Sequence, residues 1–408
     1  MPALRGGHCA LPRLISVPVD EFASQYWGST PLLSRAADLP RGFDDLFAHD
    51  AVDELVSERG LRTPFLRVAK NGATLPDRAF TAGGGTGATI ADQVSDDKLL
   101  HLFADGATIV LQGLHRTWSP VTDFTQQLAE ELGHPVQVNA YVTPPQNTGF
   151  NDHYDVHDVF VLQIAGDKRW RIRPPVHLSP LRDEPWTDHR AAVEAAATQP
   201  PLLEVTLRPG DCLYLPRGFL HAATALGDVS THLTIGVHPW TRRHVADELM
   251  AQAIERASTA VEVRASLPLG VDLGDASALE PDVEQVRAAL IAALRDLDAD
   301  DLVPALTRRD RGSSRPGPVA PVAQVRAAAR LDDGSRLVLR AHLAARIEEG
   351  TDGSAVLSSR AGTLTLAAPD VAVVRELLDT HTEEGVAVSA LGLDLARQLV
   401  LGGVLLPA

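Results

Sequence analysis

The sequence predicts an α+β protein of more than one domain, with an antiparallel β-sandwich or barrel at its centre. Three observations lead to this prediction. Between residues 135 and 240, short runs of β-forming residues alternate with Pro and Gly turns. From 241 to about 306, apolar residues recur at three- and four-residue steps, as in amphipathic helices. After 307–321, which has the composition of a linker, short strand-like runs precede two further helical segments.

Five runs in the β-rich segment predict strands: VQVNAYVT, DVFVLQI, RWRIRP, LLEVTLRPGDCLYLP and THLTIGVHPW. Closely spaced strands joined by short turns are typical of sandwiches and barrels. One helix is predicted just before them, capped by Ser119, with Pro120 at its first position and Gly133 at its end. Further along, Pro281 precedes a helical stripe, which either packs in a core or forms an interface: Val283, Val286, Leu290, Leu294 and Leu297.

The composition restricts the function classes. A formal charge of −16 disfavours general binding to nucleic acids or anionic membranes, which requires clustered Lys and Arg. The two cysteines, Cys9 and Cys212, are too few for a disulfide framework or a cysteine-rich zinc site. No run of about 18 apolar residues occurs, and the start of the chain does not resemble a secretory signal. We therefore expect a cytoplasmic protein without a membrane span.

The stretch HYDVHD concentrates four groups able to bind a metal: His153, Asp155, His157 and Asp158. In a β-strand, residues two apart face the same side at a spacing of about 6.6 Å. His153 and His157 would then lie roughly 13 Å apart, too far for both to bind one ion in a straight strand. The stretch alone leaves three readings open: His153 with Asp155, Asp155 with His157, or no metal.

A second motif, RPGDCLYLPRGFLHAA at 208–223, favours the first reading. Two turns in this motif return a strand that carries His221 towards the first strand. Together, His153, Asp155 and His221 form a set of two histidines and one carboxylate. Such a set leaves open coordination positions and is typical of non-haem Fe(II) oxygenases.

The two motifs, with NAYVTPPQNTGF before the first, resemble the cupin-type Jumonji C oxygenases, specifically their ribosomal oxygenase branch. The resemblance is dense from about 139 to 240, and YWGSTPLL at 26–33 resembles the entry segment of this family. It implies a double-stranded β-helix (cupin or jelly-roll) catalytic domain over 1–240. A helical dimerisation domain over 241–306, a linker over 307–321 and a winged-helix-like domain over 322–408 would follow.

The resemblance assigns His153, Asp155 and His221 as Fe(II) ligands. It also implies that Lys168, fifteen positions after His153, binds the distal carboxylate of the cosubstrate 2-oxoglutarate. A dianion in a partly dry barrel requires a cation opposite its free end. Lys168 taken alone would be interpreted as a surface lysine in a hairpin turn.

Other positions of the family pattern surround the same pocket. Asn139 and Tyr141 match positions that line it, and Thr234 would add a hydroxyl. Gly236 stands where the family often has a serine, so polar contacts are not expected there.

Four other polar residues near these motifs are not expected to bind the metal. We expect His157 and Asp158 at the pocket rim or on the surface, and His232 and His238 in the core beside the ligands.

The resemblance implies an Fe(II)- and 2-oxoglutarate-dependent enzyme that hydroxylates an Arg or His side chain of a protein, a ribosomal protein by family. It also implies a homodimer through the 283–297 stripe. The alternatives are a 2-oxoglutarate oxygenase acting on a small molecule and a non-catalytic interaction protein with a vestigial barrel. From 322 to 408, eight Arg or Lys stand against eleven Asp or Glu, so we do not expect this segment to bind nucleic acid.

Overall fold

The computed structural model describes residues 10–70, 72–87, 89–148, 150–349, 355–380 and 385–408. The chain divides into two compact units, Met1–Pro239 and Trp240–Ala408. No helix among the described residues is long and apolar enough to cross a membrane. Cys212 is buried, whereas Cys9 lies outside the described residues.

The first unit contains eleven strands and six α-helices among its described residues. The strands are β1 Leu32–Ser34, β2 Leu66–Lys70, β3 Ala73–Thr74, β4 Thr81–Ala82, β5 Gln93–Val94, β6 Thr108–Leu111, β7 Val136–Thr143, β8 Asp158–Arg173, β9 Leu203–Leu207, β10 Cys212–Leu215 and β11 Leu220–Val237. The helices are α1 Val19–Glu21, α2 His49–Ser57, α3 Asp96–Ala104, α4 Leu114–Thr117, α5 Ser119–Leu132 and α6 Arg190–Ala197.

Most of these strands form one antiparallel sheet in the order β1-β10-β8-β11-β7-β6-β2-β3, with β9 also paired to β8. The long strands β8 and β11 pair along nearly their whole lengths. β10 flanks the first half of β8, and β9 flanks its second half. The two long strands therefore each contribute to two parts of a jelly-roll-like sheet.

The side chains of β8 alternate between two cores, as the period of two in a strand requires. Phe160 and Leu162 pack in the large core, beside Tyr214. Val159 and Val161 point the other way, into a smaller apolar cluster. Burial on both faces explains why DVFVLQI is a nearly continuous apolar run.

The predicted turn between DVFVLQI and RWRIRP is absent, and this expectation was wrong. Both runs belong to the single strand β8, which bends at Gly166. Gly166 has a φ of 63°, and a Cβ built there would lie 2.3 Å from the carbonyl oxygen of Val229. The close approach occurs where the pairing register of β11 shifts, between Leu226 and Thr231. Lys168 therefore lies in a strand and not in a surface turn.

Helix α5 confirms the helix predicted for residues 119–133, but the predicted cap was wrong: Trp118 occupies the N-cap position, and Ser119 is the first helical residue. Pro120 occupies its first turn, and Gly133 follows its last residue. The predicted apolar face packs into the core through Val121, Phe124 and Leu128.

The second unit begins with helices α7 Arg242–Ala257, α8 Val261–Arg264, α9 Ala276–Asp296 and α10 Ala299–Ser313. Because α10 continues to Ser313, the first part of the predicted linker at 307–321 is helical, and that expectation was wrong there. In α9, Leu290 and Leu294 pack near Ala253 of α7.

The rest of the second unit has its own apolar core. Its helices are α11 Pro321–Ala328, α12 Asp370–Thr380, α13 Val388–Leu391 and α14 Leu393–Leu401. Its strands are β12 Arg336–Leu339, β13 Arg346–Glu349, β14 Ala355–Ser359, β15 Gly362–Leu366, β16 Val386–Ala387 and β17 Leu405–Pro407. They form two three-stranded antiparallel sheets, β16-β12-β17 and β13-β14-β15.

Candidate active site

His153 and His221, 68 positions apart, face each other across an isolated antiparallel bridge. Each backbone N–H donates to the carbonyl oxygen of the other residue, over 3.2 Å from His153 and 2.8 Å from His221. Their ring centroids lie 4.4 Å apart. The chain turns through PRGF and begins β11 beside the segment that precedes β8, which brings the two imidazoles together.

Asp155 completes the cluster. One of its carboxylate oxygens lies 3.7 Å from Nε2 of His221. The possible ligand atoms of His153, Asp155 and His221 all lie within 4.8 Å of one another, and the described residues contain no other such group. Among the residues of HYDVHD, the structure therefore groups His153 and Asp155 with His221.

The backbone sets the tautomers of both histidines. Nδ1 of His153 lies 2.7 Å from the carbonyl oxygen of Asn151, and Nδ1 of His221 lies 3.1 Å from that of Phe219. A carbonyl oxygen only accepts, so each Nδ1 carries the proton and each Nε2 keeps a lone pair. A hydrogen bond from Nδ1–H to a backbone carbonyl usually orients a histidine that binds a metal through Nε2.

The protonation states also suit a metal. Burial lowers the pKa of His221 to about 4, so its imidazole is neutral near neutral pH. Burial opposes ionisation of Asp155, but the surrounding histidines and the Arg67 guanidinium outweigh it and hold the pKa of Asp155 below its ordinary value. Two imidazoles and one carboxylate, with their ligand atoms this close together, fit a divalent ion such as Fe(II).

Lys168 is 3 % exposed, and this burial lowers its pKa to about 7. Its Nζ donates to the hydroxyl of Thr143 over 3.0 Å and lies 3.3 Å from Nδ1 of His232. No acidic residue in the described part of the chain forms an ion pair with it. A buried ammonium without a carboxylate is costly, so the position favours an anionic ligand.

One cavity, which we call the inner cavity, is lined by Lys168 and by the three candidate metal ligands. Val159, Val161 and Trp170 form its apolar wall. Its further polar lining is Thr108, Tyr141, Thr143, His232 and Thr234. Tyr141 stacks on the buried His232, with centroids 4.9 Å apart.

An outer cleft of about 500 Å³ adjoins the inner cavity and shares Tyr141, Asp155 and Thr234 with it. The other polar residues of the outer cleft are Arg67, Gln112, Arg116, Gln137, Asn139 and His157. Asn139 thus lies in the outer cleft and not among the residues of the inner cavity, where the resemblance placed it. Its side-chain oxygen accepts from the backbone N–H of Gly113 over 3.1 Å.

Gly236 leaves room for two side chains of the outer cleft. A Cβ built on Gly236 would lie 3.0 Å from Cε1 of His157 and 3.2 Å from Cγ of Gln137. His157 therefore lies at the rim of the site, as predicted. Its neighbour His238 packs with a ring separation of 5.0 Å.

The prediction that Asp158 lies at the rim or surface was wrong. Asp158 is 1 % exposed and accepts from the hydroxyl of Tyr214 over 2.7 Å and from the backbone N–H of Arg217 over 3.0 Å. It anchors the turn that precedes His221. The sequence around Asp158 indicated a solvent-exposed carboxylate. Its partners lie more than fifty positions away, so the local pattern does not show them.

Sequence reasoning also missed Thr143 and Arg67. Thr143 had a usable signal, since the period of two places it on the same face as Asn139 and Tyr141. Arg67 lies on β2, far from any motif. Its Nη2 lies 3.4 Å from the hydroxyl of Tyr141, and its guanidinium lies 5.3 Å from the ring centre of Phe150.

Comparison with known proteins agrees with this geometry. Residues 115–245 match the family model of the JmjC domain. The chain is 30% identical over 224 residues to a bifunctional lysine-specific demethylase and histidyl-hydroxylase of Culex quinquefasciatus, which covers 55% of this chain and 33% of that protein. It is 30% identical over 256 residues to ribosomal oxygenase 1 of Gallus gallus, covering 61% and 40%. The chain thus spans well under half the length of these relatives.

A solved structure of a ribosomal oxygenase from Escherichia coli, in complex with cobalt and 2-oxoglutarate, shares the fold. It matches with a TM-score of 0.56 and 16% identity, covering 96% of this chain and 99% of that one. The cupin-type fold predicted for the catalytic part is confirmed. The cluster of His153, Asp155 and His221 lies within residues 115–245, which match the JmjC domain model, and the chain is similar to the ribosomal oxygenases.

Proposed function

We propose that this protein is an Fe(II)- and 2-oxoglutarate-dependent oxygenase that hydroxylates a side chain of a protein substrate. The observation that carries the proposal is the inner cavity, which contains both the metal-binding cluster and the buried Lys168. When bound, iron and 2-oxoglutarate supply the oxidising chemistry that transfers an oxygen atom from O₂ to a substrate carbon.

The residues of the chain bind, orient and exclude water. His153, Asp155 and His221 would hold the iron, and two histidines with one carboxylate would leave coordination positions open to other ligands. Lys168, oriented by Thr143, binds the distal carboxylate of the cosubstrate. The apolar wall of the inner cavity keeps water from the reacting groups.

The names of the relatives point to a ribosomal protein as substrate, and the outer cleft favours His over Arg as the target. Arg67 and Arg116 line this cleft, and neither forms an ion pair with an acid in the described part of the chain. A substrate guanidinium carries the same charge and offers no acceptor to these donors. A neutral imidazole offers one acceptor nitrogen, so we propose a histidyl target.

The test is turnover with identified product. Purified protein with Fe(II), 2-oxoglutarate and ribosomal proteins should release succinate and add the mass of one oxygen atom to a His residue. His153→Ala should abolish both. Ribosomal proteins from cells with and without the gene give the unbiased comparison. Iron binding without any modified protein would instead favour a small-molecule substrate, and absence of iron binding would favour a non-catalytic barrel.

For the second unit we propose a homodimer through α9 and a winged-helix-like fold over 322–408 that interacts with protein. Val283 and Val286 of the predicted stripe are about two fifths exposed, which leaves apolar surface for a second copy. Light scattering should give twice the monomer mass for the wild type and a single mass for V283E/V286E. A monomeric wild type would refute the dimer.

We place the protein in the cytoplasm, and fractionation of cells tests that location.

A further inference from the structure

A second groove lies in the first unit, on the opposite face of the strands that carry the inner cavity. We call it the acidic groove; it has a volume of about 520 Å³ and is enclosed by α2, α3, β6 and β7. Its floor is apolar and includes Val56, Leu100, Phe103, Ile109 and Val142. Leu100 is 65% exposed, so its apolar side chain is open to solvent beside the groove.

The rim of the acidic groove carries four exposed aspartates from three separate elements: Asp53, Asp96, Asp97 and Asp228. None of them forms an ion pair with a Lys or Arg of the described chain, and no Lys or Arg is among the lining residues of the groove. Asp96 and Asp97 lie in the first turn of α3, where their negative charges interact favourably with the helix dipole.

The other two aspartates do not lie in the first turn of a helix, although the Asp228 carboxylate accepts from the backbone N–H of Val229 over 2.6 Å. Asp53 lies in the middle of α2, and Asp228 lies where the register of β11 shifts. Their charges remain uncompensated around an apolar floor. Charge and shape together fit a ligand that is cationic at its edges and apolar at its centre.

The groove and the active site share strands but not side chains. Ile109 and Val142 are paired across β6 and β7 and face the groove. The residues beside them, Thr108 and Thr143, face the inner cavity and are hydrogen-bonded to each other over 3.2 Å. A segment bound in the groove would therefore be separated from the cosubstrate by one layer of strands, and the groove can be altered without changing a catalytic group.

We propose that the acidic groove binds a Lys- or Arg-rich segment of the protein substrate, with a large apolar side chain of that segment against Leu100 and Phe103. The identity of the occupant as substrate rests on the proposed function. Complementary charge would raise the association rate and hold the substrate while its target residue enters the outer cleft.

The first measurement is binding to the full chain by fluorescence anisotropy, with a labelled peptide of alternating Lys and Leu as the probe. The groove variant D53N/D97N/D228N should bind it about tenfold more weakly, since each partly exposed ion pair contributes modestly. The control D20N/D44N/D183N changes the net charge equally at exposed sites outside the groove, and should bind like the wild type. Leu100→Ser should weaken binding without a change in charge.

The second measurement is hydroxylation of ribosomal proteins by the same variants. The groove variant should raise the KM for the protein substrate and leave kcat and the KM for 2-oxoglutarate unchanged. Equal peptide binding by groove and control variants, or no binding by the wild type, overturns the proposal. Hydroxylation with an unchanged KM overturns the substrate as occupant. Groove-dependent peptide binding without any hydroxylated protein supports the groove and refutes the proposed function.

Discussion

The ammonium group of Lys168 donates to the hydroxyl of Thr143 over 3.0 Å, and only 3 % of Lys168 is exposed. The contact joins β8 to the end of β7 and points the lysine into the cavity that holds the metal-binding cluster. With one donor used by Thr143 and another near His232, a third remains for a ligand. This relationship supports the proposed role of Lys168 in binding the cosubstrate.

Lys168→Met should remove 2-oxoglutarate binding and keep metal binding. Loss of one partner of a buried ion pair costs about 3–5 kcal/mol, so the Kd should rise at least about a hundredfold. Titration of the Mn(II)-loaded protein with 2-oxoglutarate measures this, and Lys98→Met, an exposed lysine, is the control. Wild-type affinity in Lys168→Met would remove Lys168 from the site.

The same variant should not be less stable in the absence of cosubstrate. Burial lowers the pKa of Lys168 from 10.5 to about 7, so the unfolded chain binds more protons than the folded one between these values. The lysine therefore reduces stability at neutral pH, and its cost disappears as pH rises through this window. Thermal unfolding of Lys168→Met at neutral pH should occur at or above the wild-type temperature.

Cosubstrate affinity should fall with rising pH. The carboxylate binds the protonated lysine, which loses its proton above about pH 7 in the free protein. Above that value the Kd should rise by up to about tenfold per pH unit, until the pKa of the bound state is reached. Titrations at saturating Mn(II) between about pH 6 and pH 9 test this. A flat profile would show that Lys168 stays charged in the free protein.

Gly166→Ala should cost more stability than Gly227→Ala. Both glycines have positive φ, but a Cβ at Gly166 would meet the carbonyl oxygen of Val229 at 2.3 Å, whereas nothing lies within 4 Å of one at Gly227. The backbone term, about 1 kcal/mol, is common to both, so the difference isolates the clash. Urea unfolding of the two variants gives the comparison. Equal losses would contradict the tight crossing.

Because Lys168 follows two residues later, Gly166→Ala should also weaken 2-oxoglutarate binding.

Tyr214→Phe should destabilise the first unit through Asp158. The Tyr214 hydroxyl donates to this buried carboxylate over 2.7 Å and accepts from the backbone N–H of Gly28 over 2.8 Å. Loss of a hydrogen bond to a buried charge costs about 1.5–3 kcal/mol. Tyr26→Phe removes a hydroxyl from a less buried tyrosine and should be nearly neutral. Urea unfolding followed by tryptophan fluorescence measures both, and equal stabilities would show that Asp158 does not depend on the hydroxyl.

The grouping of His153, Asp155 and His221 could be predicted from the sequence because each of its two motifs is a short local pattern. His153 and Asp155 are two residues apart, and the turns before His221 need Gly and Pro at particular positions. The strands and α5 were predictable for the same reason, since strand and helix periods are properties of short segments. The roles of Asp158 and of Arg67 were not, because their partners come from distant segments.

Lys168 shows the division most clearly. The sequence, through its resemblance to a family, indicated which residue should bind the cosubstrate, but the local pattern placed that lysine in an exposed turn. Only the tertiary structure decided that Gly166 bends the strand without ending it, because β11 crosses there at a separation that no side chain fits. The sequence by itself determined the ligand types and their spacing. Burial, the missing acidic partner of Lys168 within the described chain and the acidic groove arise from packing between distant segments, which a local pattern does not encode.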